Sequence, residues 1–205
     1  MPVNPDTLFS PDPAVRAISR DLYADISALP IVSPHGHVNP GLFSDPEAAF
    51  GSPVDLFILP DHYIIGRLYS AGVQPESLGI SSRQASWKET DHRNIWRIFC
   101  EHFHIFRGSP ISLWIQHELE TIFDIPELPT SQNADRLFDA LSAKLALPEF
   151  QPRGLFERFN IEVLCTTDAP SDDLHHHKAI LGSGWGGRII PCLRMDGIAN
   201  LDVPE

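Results

Sequence analysis

Two histidines that flank a single glycine, His35 and His37, follow a short apolar run over residues 29–32. Alternate residues of a β-strand point to the same face, so both imidazoles can bind one metal ion from the same side. Gly36 between them allows the backbone to sit close to its surroundings. Enzymes built on a parallel barrel place their chemistry at the C-terminal ends of strands, where this pair falls. So short a pattern also arises by chance, and two unrelated loop histidines are the alternative interpretation.

A second group, Asp61-His62-Tyr63, stands just before a predicted helix. The His62 imidazole can act as a general acid or base near neutral pH, and the Tyr63 hydroxyl can donate or accept a proton. The alternative is purely structural, because Asp61 is also a good helix cap and would leave two partly exposed rings behind it.

Arg194 follows a predicted strand over residues 188–193, at the end where a ligand would be expected. A guanidinium group there can hold a carboxylate through two parallel hydrogen bonds. A surface arginine paired with Asp196 is the alternative.

Two other polar features are interpreted as structural. The run His175-His176-His177 occupies consecutive helix positions that fan across about 200°, which favours a solvated helix face over a metal site. Asp168 is predicted to cap the helix that follows it.

The elements that carry these residues follow from proline positions and apolar spacing. Asp12-Pro13 predicts a helix start, and the helix stops before Pro30. Its apolar face consists of Val15, Ile18, Leu22 and Ile26. A buried strand over residues 29–32 leads to the histidine pair, and a long loop is predicted for residues 38–60.

Most of the middle of the chain reads as helical. Asp61 begins a short helix that ends near Gly72, and residues 82–147 are predicted to be mostly helix, with starts at Ser109 and Ser131. The pattern then changes to a strand over residues 161–165, a helix from Pro170 to Gly182 and a strand over residues 188–193. Strand, helix and strand in this order predict a right-handed parallel unit, although Pro191 weakens the last strand.

The predicted fold is therefore α/β. It corresponds to about the first three strands of a (β/α)₈ barrel of the TIM type, with a large helical insertion between strands 1 and 2. We expect three regions: a first helix and strand in residues 1–37, a loop and helical insertion in residues 38–153, and strands 2 and 3 with their helix in residues 154–205. A complete barrel needs roughly 250 residues, and the chain has 205.

Composition excludes several classes of protein. The net charge of −12 disfavours nucleic acid, and the sequence contains no basic run suited to an anionic membrane and no apolar run of membrane-spanning length. Three widely spaced cysteines do not form a disulfide framework. A cytoplasmic location is expected.

Taken together and in this order, several segments resemble the uronate (glucuronate) isomerases of the amidohydrolase superfamily. The segments are Ile31–His37, Asp61–Tyr63, Trp114–Leu119, Val163–Pro170, which is similar to a Gly-Thr-Thr-Asp-Asp-Pro motif, and Ile190–Arg194. The resemblance covers nearly the whole chain.

The resemblance implies that His35 and His37 bind a divalent metal, zinc being expected, and that His62 and Tyr63 act at the substrate. It implies that Arg194 binds the carboxylate of a uronate, and that the family forms homo-oligomers. Ser33 stands where the family often has an aspartate, which puts one outer partner of the metal site in doubt. Further family ligands, a histidine and a catalytic aspartate, belong to later strands.

The implied reaction is aldose–ketose isomerisation of hexuronates, D-glucuronate to D-fructuronate and D-galacturonate to D-tagaturonate. With only two metal ligands and three strands, the chain alone is expected to be inactive and poorly soluble. Two alternatives stay open: another hydrolase or decarboxylase of the superfamily, and an inactive barrel fragment that needs a partner chain.

Overall fold

The fold is given by a computed structural model that describes residues 3–81, 86–195 and 199. By its internal contacts the chain divides into two compact units. The first unit consists of Met1–Asp21 with Phe50–Ala146, and the second of Leu22–Ala49 with Leu147–Glu205. No helix in the described ranges is long and apolar enough to cross a membrane.

The α-helices, in chain order, are α1 (Pro13–Ile26), α2 (Gly41–Ser44), α3 (Pro53–Phe57), α4 (His62–Ser70), α5 (His92–His102), α6 (Pro110–His117), α7 (Ala134–Leu145), α8 (Pro152–Arg158) and α9 (His175–Gly182). Single turns of 3₁₀-helix span Pro75–Leu78, Phe103–Phe106 and Pro148–Phe150, and a π-turn spans Glu118–Ile122. The strands are β1 (Ile31–Ser33), β2 (Ile161–Asp168) and β3 (Ile189–Leu193).

The proline-marked helix starts are largely confirmed. Helix α1 begins at Pro13, with the Asp12 carboxylate accepting from the amides of Ala14 and Val15, and ends at Ile26. Helix α4 is capped by Asp61, and α6 begins at Pro110. The four apolar residues predicted to line one face of α1 are all exposed in the described part of the chain.

Other predictions for the first 150 residues are wrong in detail. Residues 38–60 are not one long loop, because α2 and α3 lie within them. Helix α3 starts at a capping box in which Ser52 and Asp55 satisfy each other's backbone amides. The helical region predicted from residue 82 begins only at His92 in α5, and residues 82–85 lie outside the described ranges.

The first unit has a helical core built on α5 and α7. Trp96 of α5 is fully buried, and its indole Nε1 donates to the carbonyl of Ala134 at 3.0 Å. Phe99, Leu137 and Leu141 are also fully buried in these two helices. The apolar residues of α7 that are spaced by four thus face the core.

The second unit contains a parallel sheet with the strand order β1-β2-β3 among its described residues. Its predicted α/β character and parallel pairing are confirmed. Strand β2 is longer than expected and reaches Asp168, while α9 begins at His175 rather than at Pro170. Helix α8 was not predicted, although Pro152 marks its first turn.

One face of the sheet packs on helices α2, α8 and α9. The core on this side consists of Phe43, Phe156, Leu164, Ile180 and Ile189. Because side chains alternate along a strand, Thr166 and Asp168 point to the same side as Leu164, whereas Cys165 and Thr167 point to the other.

Pro191 lies within β3, with its nitrogen on the side of the strand away from β2. The carbonyl of Arg188 accepts from Leu164 of β2, and the amide of Arg194 donates to Asp168 of β2. Backbone groups alternate between neighbours along a parallel strand, so the nitrogen of Pro191 faces away from β2 and costs no hydrogen bond to it.

Candidate functional site

The two imidazoles of the sequence pattern meet immediately after β1. The Nε2 atoms of His35 and His37 lie 3.0 Å apart, with ring centroids separated by 4.8 Å and ring planes 77° apart. Both side chains are exposed. At this distance one Nε2 donates a proton and the other accepts it, so both nitrogens are directed toward the same region. The two rings therefore point together rather than to opposite sides.

Strand β2 supports the pair from beneath. The Nδ1 atom of His37 lies 3.5 Å from the hydroxyl of Thr167, which can accept its proton and leave the Nε2 lone pair for a ligand. A Cβ placed on Gly36 would lie 2.9 Å from the carbonyl oxygen of Cys165. The glycine thus allows the close approach that its position between two ligands suggested.

The donor set fits a transition metal in type but supplies only two of its ligands. Imidazole nitrogens are common ligands of zinc, whose catalytic sites usually have three protein ligands. Within the part of the chain that the structure describes, no cluster of three or more His, Cys, Asp or Glu side chains can hold a metal ion. His35 and His37 are therefore candidates for two positions of a larger coordination shell.

Three polar side chains are buried together between the C-terminal end of β2 and helix α9. The hydroxyl of Thr166 lies 2.7 Å from the Asp168 carboxylate and 2.8 Å from Nε2 of His177. Two predictions are corrected here. Asp168 does not cap the following helix but accepts from the backbone amide of Cys192 at 3.2 Å. His177 is 4% exposed and does not belong to a solvated face.

Arg194 directly follows β3 and is exposed. Its backbone amide donates to the carbonyl of Asp168 at 3.0 Å, which extends the pairing of β2 and β3 by one step. Asp196, the alternative partner considered for its guanidinium group, lies outside the described residues.

His62 and Tyr63 form the first turn of α4 in the first unit. The Asp61 carboxylate accepts from the backbone amides of Tyr63 at 2.8 Å and Ile64 at 3.1 Å. The two rings pack on each other with centroids 4.1 Å apart, and both are exposed. Helix capping by Asp61 is thus real, and it leaves both ring side chains accessible to a ligand.

Glu118 was missed by the sequence reasoning. It lines a cavity of about 120 Å³ beside Asp61 and Trp114 in the first unit. Burial, and after it the charge of Asp61, raises the pKa of Glu118 to about 7. Glu118 also opens the π-turn, a feature that is frequent at functional sites. Its place in the Trp114–Leu119 segment of the family resemblance is the one signal that could have drawn attention to it.

The second unit therefore holds three of the predicted site residues, His35, His37 and Arg194, and brings the two imidazoles into contact. The other two, His62 and Tyr63, are in contact with each other in the first unit.

Comparison with known proteins gives a consistent result over nearly the whole chain. Residues 14–205 match the family model described as glucuronate isomerase. The uronate isomerase of Nostoc punctiforme is 52% identical over 98% of this chain, and that of Brucella canis is 48% identical over 100% of it. These matches cover 42% and 44% of the two relatives, so the chain spans less than half of their length.

Solved structures agree. The glucuronate isomerase of Caulobacter crescentus superposes with a TM-score of 0.87 at 45% identity, over 93% of this chain and 40% of that one. The uronate isomerase of Thermotoga maritima superposes with a TM-score of 0.77 at 26% identity, over 100% of this chain and 42% of that one. With the family model matching all but the first residues, this chain belongs to the glucuronate isomerase family.

Proposed function

We propose that the chain serves the aldose–ketose isomerisation of hexuronates, D-glucuronate to D-fructuronate or D-galacturonate to D-tagaturonate. One observation carries this proposal: two imidazoles converge within 3.0 Å at the C-terminal edge of a parallel sheet. The sequence of this chain is 52% and 48% identical to two proteins named uronate isomerase.

Isomerisation moves a proton between C1 and C2 of the sugar through an enediol. His35 and His37 would hold a divalent metal, zinc in our proposal, and when bound it would polarise the reacting oxygens. Thr167 would keep His37 in the tautomer that presents Nε2, through the contact at its Nδ1. Orienting the ring in advance lowers the entropic cost of assembling the site.

Arg194 would bind the carboxylate at the far end of the substrate. Strands β1 and β3 are separated by β2 alone, which sets their ends two strand spacings apart, about 10 Å. Alternation along β3 favours placing Arg194 on the face of Cys192, which pairs with Thr167. A guanidinium fork matches a carboxylate and would fix the sugar while its other end reacts.

His62 and Tyr63 would transfer protons at the substrate. Both side chains are exposed at the first turn of a helix, and the proposal follows the family resemblance of the Asp61–Tyr63 segment.

For the fold, we propose that β1, β2 and β3 correspond to the first three strands of a (β/α)₈ barrel, with residues 38–153 as a helical insertion between strands 1 and 2. The parallel order β1-β2-β3, with α9 connecting the last two strands, supports this assignment. A cytoplasmic homo-oligomer is proposed on the same resemblance.

Calorimetric titration of D-glucuronate into the zinc-loaded chain tests the function. We expect Arg194→Met to weaken binding by roughly 10–100-fold, because a charge-assisted bidentate pair is lost. Arg188→Met at the other end of β3, where the guanidinium pairs with Glu162, is the matched control and should change little.

D-glucose, which lacks the carboxylate, should bind equally weakly to both proteins. Equal glucuronate affinity of wild type and Arg194→Met would contradict the proposal, and hydrolysis of a dihydroorotate-like amide would favour a hydrolase instead.

A further inference from the structure

The buried polar cluster of Thr166, Asp168 and His177 is not needed to fill the core of the second unit. Each of the three side chains is at most 7% exposed, and an apolar side chain would avoid the cost of burying a polar one. Among the described residues, Nδ1 of His177 has no hydrogen-bond partner. A buried polar atom left in that state calls for an explanation other than packing.

The distances fix the direction of each hydrogen bond. Thr166 has one hydroxyl proton, and the carboxylate of Asp168 at 2.7 Å can only accept it. The same hydroxyl oxygen must then accept from His177 Nε2 at 2.8 Å. Nε2 of His177 is thereby assigned as a hydrogen-bond donor. The cluster is a directed chain that runs from His177 through Thr166 to Asp168.

This series of hydrogen bonds ends at the backbone that carries the candidate site. The Asp168 carboxylate accepts from the amide of Cys192, two residues before Arg194, and the Asp168 carbonyl accepts from the amide of Arg194 itself. Thr167 stands between the two buried residues on the opposite face of β2 and contacts His37. The same buried cluster is therefore connected through β2 both to the histidine pair and to the backbone of Arg194.

We propose that Thr166, Asp168 and His177 are positioning residues, which fix the end of β3 for Arg194 and the Thr167 hydroxyl for His37. What those two residues bind rests on the proposed function. The role of the cluster is to hold two separate parts of one site in register. A shift of the β3 end would move the carboxylate-binding group relative to the metal-binding pair, and small displacements in a site are costly for catalysis.

The matched variants Thr166→Val and Thr166→Ser test this proposal. Valine keeps the shape of the side chain and removes the hydroxyl, whereas serine keeps the hydroxyl. Leu164→Ala, two residues earlier on the same face of β2, is a control for general loss of stability. Hydrogen exchange at the amides of Cys192 and Arg194 is measured on each protein, together with zinc and glucuronate affinity.

We expect Thr166→Val to speed exchange at both amides and to weaken zinc and glucuronate binding, each by about tenfold, with Thr166→Ser close to wild type. Leu164→Ala should lower the melting temperature without this local pattern. If Thr166→Val leaves the Arg194 amide as protected as in Thr166→Ser, the positioning role is overturned.

Two further outcomes keep the proposals separable. Histidine ring ¹⁵N chemical shifts of the wild-type chain report whether Nε2 of His177 carries a proton, and an unprotonated Nε2 would overturn the assigned hydrogen-bond direction even if no variant folds. A wild-type chain with well-protected amides that binds neither zinc nor glucuronate would instead contradict the proposed function.

Discussion

The backbone of Gly36 runs so close to β2 that a methyl group on its Cα would lie 2.9 Å from the carbonyl oxygen of Cys165. A fixed main-chain atom cannot give way as a flexible side chain can. The segment that carries His35 and His37 can therefore lie this close to the sheet only because residue 36 has no side chain.

Gly36→Ala should displace this segment. We expect a loss of about 1–3 kcal/mol in stability, as for other overpacking substitutions, and weaker zinc binding by the chain. Thermal unfolding and zinc titration measure the two effects. Gly66→Ala is the matched control, because nothing lies within 4 Å of its added Cβ in helix α4. It should stabilise by up to about 1 kcal/mol. Unchanged zinc affinity in Gly36→Ala would contradict the predicted displacement.

The histidine pair itself predicts a metal affinity that depends on both rings. His37→Ala and His35→Ala should each weaken zinc binding at least as much as loss of an outer partner does, roughly 10–100-fold. Calorimetry at several pH values should also show weaker binding in acid, because protons compete with zinc for the imidazole nitrogens. His175→Ala on α9, where the native ring pairs with Asp173 just before the helix, serves as the control. Equal losses in all three variants would argue against a specific site.

Glu118 predicts a pH dependence of stability in the first unit. The folded state holds this proton more tightly than the unfolded chain, because burial raises the pKa of Glu118 from 4.5 to about 7. The stabilisation is complete below about pH 4.5 and is lost as the pH rises through about 7. Glu118→Gln should remove this dependence and be the more stable protein at about pH 8, by an amount of order 1–3 kcal/mol.

Urea unfolding followed by tryptophan fluorescence measures the effect, since Trp114 lines the same cavity as Glu118. The exposed Glu101→Gln variant in the same unit is the control. Parallel pH profiles for wild type and Glu118→Gln would show that folding does not raise the pKa of this carboxyl.

Local sequence signals predicted the elements that prolines and capping residues mark. Asp12-Pro13 and Asp61 fixed the starts of α1 and α4. His35 and His37 converge close together in sequence just after β1, which ends at Ser33, so strand alternation is not the reason. These features depend on neighbours in sequence, which is why one sequence was enough to find them.

Features that depend on tertiary packing were not predictable in the same way. Three consecutive histidines look like a solvated helix face, and only the packing of α9 on β2 determines that His177 is the buried one. The sequence around Asp168 is typical of a helix cap. Strand β2 nevertheless continues through Asp168, and its carboxylate accepts a hydrogen bond from the backbone of β3. The neutral-range pKa of Glu118 arises from burial in a cavity that is also lined by residues more than fifty positions away in sequence.

Pro191 has a consequence for how the sheet meets other chains. Its nitrogen faces the outer edge of β3, where an ordinary residue would offer a donor. A foreign extended segment that docks along this edge finds the ladder interrupted midway, so the edge is a poor template for indiscriminate strand addition. A cognate strand can still join if it staggers or bulges opposite the proline. The residue that weakened the strand prediction thus also removes one hydrogen-bond donor from this side of β3.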